Sequence, residues 1–115
     1  MKLFLPLVAV AAMALASCTK IETPAGTPVC IKKKIRQLQK EETENPASVW
    51  RYTYNGQTVY YFTAAGCCDK GSSLYDDDCN YICMPDGGFS GGGDGQCTDF
   101  FANRSDDELI WKNDR

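Results

Sequence analysis

Cysteine constrains this chain more than any other residue type. Seven of its 115 residues are Cys. Cys18 stands apart, directly behind an apolar run near the start of the chain. The other six are Cys30, Cys67, Cys68, Cys79, Cys83 and Cys97. An even number of cysteines in a small exported domain reads as a disulfide framework, here of three bonds. Six cysteines allow 15 pairings; Cys67 and Cys68 are adjacent and poorly placed to bond each other, which removes three and leaves 12. Spacing alone does not choose among these. The competing reading is a Cys-only zinc or redox site. Cys79-x-x-x-Cys83 lacks the C-x-x-C spacing of either, and an oxidising compartment disfavours free thiolates.

The compartment is argued from the first 18 residues. Met1-Lys2 supplies a minimal positive start, and Leu3 to Leu15 carries no charge. That run is shorter than the roughly 20 apolar residues of a spanning helix, but it suits a signal peptide. Leu15-Ala16-Ser17-Cys18 resembles the lipobox of bacterial lipoproteins. The resemblance implies that the Cys18 thiol takes a diacylglycerol, with palmitate among its acyl chains, and that the chain is cut just before it. Two or three acyl chains on one residue give stable anchoring, whereas one chain holds only marginally. Residues 1–17 are thus expected to be a lipoprotein signal peptide, residues 18–26 the lipidated N-terminus and tether, and residues 27–115 a single disulfide-stabilised domain. Thr19 follows the Cys, with no Asp of the inner-membrane retention type. This favours the outer membrane, facing either the periplasm or the cell surface.

Composition narrows the chemistry. The formal net charge is −3, and loss of the signal with Lys2 makes it −4, so nucleic acid is not an expected partner. There is no His anywhere. Ser-His-Asp and Cys-His catalysis, His general-base chemistry and His metal ligation are all excluded. An enzyme is therefore not expected, and beyond the covalent lipid no cofactor is.

Local patterns place the elements. Thr27-Pro28 reads as a helix start, with Thr as N-cap and Pro in the first turn. Ile31, Ile35 and Leu38 share one helical face, and the helix is expected from Pro28 to about Glu42. Its bases lie early and Glu41, Glu42 and Glu44 lie late, against the helix dipole, so its stability should come from packing and from a bridge at Cys30. Lys32-Lys33-Lys34 reads first as a solvated face. Attraction to the acidic half of the chain, or to anionic headgroups near the tether, is the sharper alternative. Asn55-Gly56 between two runs of aromatic and β-branched residues predicts a hairpin pairing Tyr54 with Gln57, Tyr52 with Val59 and Trp50 with Tyr61. The face carrying Trp50, Tyr52, Tyr54, Val59 and Tyr61 is the more apolar and is expected against the helix. An exposed Tyr/Trp platform for a glycan or a partner protein is the other use of such a face.

After Ala64 the chain becomes rich in Cys, Asp and Gly. Cys79 to Met84 reads as a short strand, Thr98 to Asn103 as a helical turn burying Phe100 or Phe101, and Glu108 to Lys112 as a final strand completing the hairpin sheet. Gly91 to Gly95 lacks the Gly-Lys-Ser/Thr ending of a phosphate loop. Asp76, Asp78, Asp86 and Asp94 have the hard oxygen donors that calcium takes, but not EF-hand spacing, and Asp and Gly are ordinary turn residues.

A longer string of residues carries a resemblance. It comprises Pro28-Val29-Cys30-Ile31, Trp50-Arg51-Tyr52, Tyr54-Asn55-Gly56, Val59-Tyr60-Tyr61, Cys67-Cys68-Asp69 and Leu74-Tyr75. It continues with Pro85-Asp86-Gly87-Gly88, Gly93-Asp94-Gly95-x-Cys97-x-Asp99-Phe100 and Leu109-Ile110-Trp111. With these the chain resembles an uncharacterised family of small bacterial lipoproteins, of the kind abundant in Bacteroidetes. The resemblance implies an envelope location and a disulfide-bonded domain, and no activity.

The expected fold is a small α+β domain. One N-terminal helix packs on an antiparallel sheet made by the hairpin and the C-terminal strand, and a disulfide-rich Gly/Asp loop region covers one edge. The expected function is that of a lipid-anchored, non-catalytic binding or structural module of the cell envelope. Its expected partners are the membrane and an envelope protein or glycan. Leu74, Tyr75, Phe89 and Asp94 are the expected exposed contacts. A calcium-binding structural or adhesive module and a disulfide-stapled protease inhibitor are the alternatives.

Overall fold

A computed structural model of the chain describes residues 21–40, 48–63, 71–87 and 91–113. Cys18, Cys67, Cys68 and Phe89, which figure in the expectations above, lie outside the described residues. The elements run α1 (Val29–Lys40), β1 (Ser48–Tyr54), β2 (Gln57–Phe62), β3 (Ser73–Asp76), β4 (Tyr81–Cys83), α2 (Phe100–Asn103) and β5 (Ser105–Lys112). The strands form one antiparallel sheet in the order β4-β3-β2-β1-β5. The architecture is α+β, as the patterning predicts, with two disulfides among the described residues.

Helix α1 forms where its apolar spacing predicts. Ile31 and Ile35 are fully buried, and Leu38 packs beside them. Burial of each Ile side chain is worth about 1.5–3 kcal/mol, which offsets three Lys in the unfavourable first turns. The N-cap differs from expectation. The Lys32 N–H donates to the Pro28 carbonyl at 3.1 Å, so Pro28 opens the helix. The Thr27 hydroxyl, itself buried, instead donates to the Pro24 carbonyl at 2.7 Å and closes a turn before the helix. Ile21 also packs against the helix–sheet core. Part of the segment read as a free tether is therefore built into the domain.

The hairpin register is the predicted one: Tyr54 faces Gln57, Tyr52 faces Val59 and Trp50 faces Tyr61. Asn55 and Gly56 take φ of 53° and 77°, the left-handed pair that a two-residue hairpin turn demands. Strand β5 adds to the free side of β1, with bulges that shift its register between Val49 and Trp50 and between Arg51 and Thr53. Strand β3 is not expected from the sequence, in which Leu74 and Tyr75 read as exposed contacts. It pairs Tyr61 with Leu74 and Phe62 with Ser73 on one side and carries β4 on the other.

Each face of the sheet supports its own core, and the assignment of faces is the reverse of that expected. Helix α1 packs Ile31 and Ile35 on Val49, Tyr60, Phe62, Ile110 and Trp111. The Tyr52, Tyr54, Val59 and Tyr61 face packs with Leu74, Cys83, Cys97 and Phe100, beneath the chain that runs from β4 to β5. The hydroxyls give the reason. Tyr54 donates to Asp99 at 2.5 Å, Tyr61 donates to Asp86 at 3.0 Å, and the Tyr52 oxygen accepts from Arg104 at 3.1 Å. A buried phenol needs such a partner. The polar loop side supplies all three, while on the α1 side the one buried phenol, Tyr60, takes Arg51 of the neighbouring strand as its partner.

The disulfides join Cys30 to Cys79 and Cys83 to Cys97. The first ties α1 to the turn between β3 and β4. The second ties the end of β4 to the residue before the α2 turn. Together they overturn the pairing arithmetic. Every one of the 12 pairings left above bonds Cys67 and Cys68 to two of the other four cysteines. Those four are already paired with one another.

Candidate functional site

The second sheet face carries the candidate surface. Alternation along β1 puts Trp50, Tyr52 and Tyr54 on this face. In β5, Leu109 lies opposite Trp50. Below them the α2 turn inserts Phe100, which is wholly buried. Its ring meets Tyr52, Tyr54 and Phe101 edge-on, with centroids 5.5, 5.2 and 5.1 Å away. The sequence expectation that this turn buries one of two phenylalanines is met by Phe100. Its neighbour Phe101 stays 42% exposed, as does Leu109.

Arg104 follows α2 and lies across the rings. Its guanidinium carbon is 5.0 Å from the Tyr52 centroid and 4.9 Å from that of Phe101, and its Nη1 donates to the Tyr52 hydroxyl oxygen. Trp50 stacks beside Tyr52 at 6.5 Å and donates its indole N–H to Ser48 Oγ at 3.2 Å. Trp50, Leu109, Phe101 and Arg104 thus form one continuous, partly exposed apolar and cationic surface. Its side chains are held from beneath by buried aromatic rings. Such a surface suits stacking on a sugar face or packing on an apolar partner.

The polar groups around it are tuned for structure. The hydrogen bond to Asp99 and then burial raise the Tyr54 hydroxyl above its ordinary pKa. The same bond, followed by one from Asn103, holds Asp99 below the usual carboxylate range. Burial, foremost, pushes Tyr61 up to about 12. Asp86 Oδ2 accepts from Tyr61, while its Oδ1 is buried with no partner among the described residues.

The contacts expected from sequence are distributed otherwise. Leu74 is not an exposed contact: it is fully buried in the second core, because β3 inserts it between β2 and β4. Tyr75 is half-buried on the opposite face, edge-on to Phe62 and Tyr81 and 4.1 Å beneath Lys34 Nζ. Asp94 is exposed, and its carboxylate holds its own loop. It accepts from Met84 N–H and Tyr81 O–H at 3.0 Å each, and from Gln96 N–H at 3.0 Å. Burial tends to raise its pKa, but the Gln96, Met84 and Tyr81 donors together bring it below the ordinary value. Asp76 likewise binds the Asp78 and Asn80 N–H groups, and the Asn80 bond leads in lowering its pKa. Asp78 is exposed. The structure does not bring Asp76, Asp78, Asp86 and Asp94 together as ligands. Among the described residues no group of three His, Cys, Asp or Glu is disposed to hold a metal. No described helix is long and apolar enough to cross a membrane.

Sequence reasoning missed Arg104 and Leu109 in the candidate surface. Leu109 lies in the strand expected over Glu108 to Lys112, but alternation does not assign its face, because the bulge at Val49/Trp50 puts Ile110 and Trp111 together on the α1 side. Nothing local marks Arg104.

The pattern that defines a domain of unknown function, DUF6970, matches residues 36–113, more than half of the chain. No curated protein and no solved structure matches the chain.

Proposed function

The chain belongs to the DUF6970 family of domains of unknown function, and from that premise we propose that it is a lipid-anchored lipoprotein of a Bacteroidetes-type cell envelope whose domain is a non-catalytic binding module. Several features support the anchor: the apolar run, the Leu15-Ala16-Ser17-Cys18 motif and the even number of cysteines once Cys18 is assigned to lipid. The absence of His speaks for binding rather than catalysis. The observation that carries the binding role is the exposure of Phe101, Leu109 and Arg104 over a rigid aromatic floor. Ordered contact groups lose less entropy on binding than mobile ones do. The fitting partner is an envelope glycan or protein, met at the outer membrane.

The test is a cross-linked pull-down from intact envelopes, comparing the wild-type chain with the double variant Phe101→Ala, Leu109→Ser. The variant is expected to lose a cross-linked species while remaining folded by circular dichroism. An unchanged set of cross-links refutes the assignment of this surface. Cys18→Ser is expected to abolish incorporation of labelled palmitate; retained label refutes the anchor.

A further inference from the structure

The exposed side of α1 is basic along its whole length. Val29, Lys33, Arg36, Gln37 and Lys40 are all exposed and lie on the side of the helix away from Ile31 and Ile35. Lys32 and Lys34 flank this stripe. The helix VCIKKKIRQLQK holds five bases and no acid, in a chain whose net charge is −3. Among the described residues these bases form no ion pair. Among the described residues the one salt bridge is Arg51 to Glu108, and of the α1 bases only Lys34 has a partner, the Tyr75 ring. Attraction to the acidic half of the chain, one of the uses weighed from sequence, is therefore not realised among the described residues.

The way the chain enters the domain supplies the second observation. Ile21 is packed against the core that holds Ile31 and Ile35, and the Pro24–Thr27 turn is hydrogen-bonded. Cys18 is only three residues before Ile21, a reach of at most about 11 Å. A lipid on Cys18 would hold Ile21 within about 11 Å of the headgroups. A tether this short keeps α1 near the surface, and once its exposed side turns toward the headgroups the bases come within the Debye length of about 8 Å at physiological salt, where their charge is only partly screened.

We propose that the Lys33–Arg36–Lys40 face of α1 rests on anionic phospholipid headgroups and fixes the domain's orientation on the bilayer. The inference rests on the lipid-anchor reading. Exposed Val29, at the helix end nearest the anchor, meets the interface with an apolar group. The aromatic and Arg104 surface lies on the opposite face of the sheet from α1. The orientation therefore turns that surface away from the membrane, toward partners.

The test uses the lipidated chain purified from membranes. It is reconstituted into vesicles of phosphatidylcholine alone or with about 30% phosphatidylglycerol, and its amines are acylated by an impermeant reagent and read by mass spectrometry. Basic residues near an anionic surface each gain about fivefold in affinity. Lys33 and Lys40 should therefore react about fivefold or more slowly on the anionic vesicles. Exposed Lys112, in β5, should react equally on both. High salt should remove the difference, and Lys33→Glu with Arg36→Glu should remove the protection of Lys40. Equal acylation of Lys33 and Lys40 on both vesicles overturns the proposal, as does equal protection of Lys112. Flotation with the neutral vesicles reports the anchor alone. If flotation fails while α1 is still protected on anionic vesicles, the anchor reading falls and the headgroup contact stands. If flotation holds without protection, the contact falls and the anchor stands.

Discussion

Replacing Phe100 with Ala tests the second core at its centre. Phe100 is fully buried and touches Tyr52, Tyr54, Tyr61 and Phe101, with ring centroids between 5.1 and 5.5 Å away. Truncation removes the ring and leaves a cavity that the disulfide-tied loop and the sheet close only in part. Buried Phe→Ala changes cost about 3–5 kcal/mol. A domain of this length is stable by about 5–15 kcal/mol, so one substitution takes about a fifth or more of the total. At roughly 4–8 °C per kcal/mol, Phe100→Ala should lower Tm by about 12–40 °C. The control is Phe101→Ala, one residue on, at a position 42% exposed. It loses stacking on Arg104 but leaves no buried cavity, and it should cost about 1 kcal/mol. Thermal unfolding followed by fluorescence of Trp50 and Trp111 reads both. Equal losses, or a loss below about 1 kcal/mol for Phe100→Ala, would refute the two-core argument and the assignment of Phe100 as the anchor of α2.

Three further outcomes are expected. Removing Cys30–Cys79, which spans 49 residues, should cost about 4 kcal/mol by loop entropy, and removing Cys83–Cys97, which spans 14, about 3 kcal/mol; peptide mapping without reduction should recover both bonds, and any bond from these four to Cys67 or Cys68 contradicts the framework. Gly93→Ala should cost about 2–5 kcal/mol, since Gly93 has φ +71° and an added Cβ meets the Met84 carbonyl, whereas Gly95→Ala, at φ +80° in open space, should cost about 1–2 kcal/mol; equal Tm losses would contradict the close approach of the loop to β4. Because burial raises Tyr61 from 10.0 to about 12, its neutral form is favoured in the folded state: its contribution is fully present below pH 10 and is lost as the pH rises toward 12. Several phenols are raised, Tyr54, Tyr60 and Tyr81 among them, so Tyr absorbance near 295 nm should titrate late, and Tyr61→Phe should remove the step near pH 12; an unchanged step there in that variant would assign it elsewhere.

Much of the local architecture is legible in the residues. Asn55-Gly56 specifies a left-handed turn, and the turn sets the register of both flanking strands, because strand side chains alternate with a period of two. Ile31, Ile35 and Leu38 announce a helix face for the same kind of reason. Strand β3 is hidden because four residues framed by Ser and Asp carry too short a pattern. Leu74 is buried by its pairing with β2 and β4, not by anything beside it in the chain. The candidate surface fared likewise. Its Trp50 lies within a readable strand, but Arg104 becomes part of it only by stacking on Tyr52 and Phe101.

By itself, the sequence determined the elements whose signals are local: the amphipathic helix, the hairpin with its register, a helical turn that buries one of two Phe, and a supply of cysteines too large for a core alone to explain. Only the tertiary structure decided which face of the hairpin meets α1, which cysteines bond and which aromatic groups remain exposed. Alternation distinguishes two faces without saying what covers each. That choice depends on where Asp86, Asp99 and Arg104 arrive to satisfy the Tyr61, Tyr54 and Tyr52 hydroxyls. A buried hydroxyl has to find a partner wherever the rest of the chain can bring one, and those three partners come from 25 to 52 residues away.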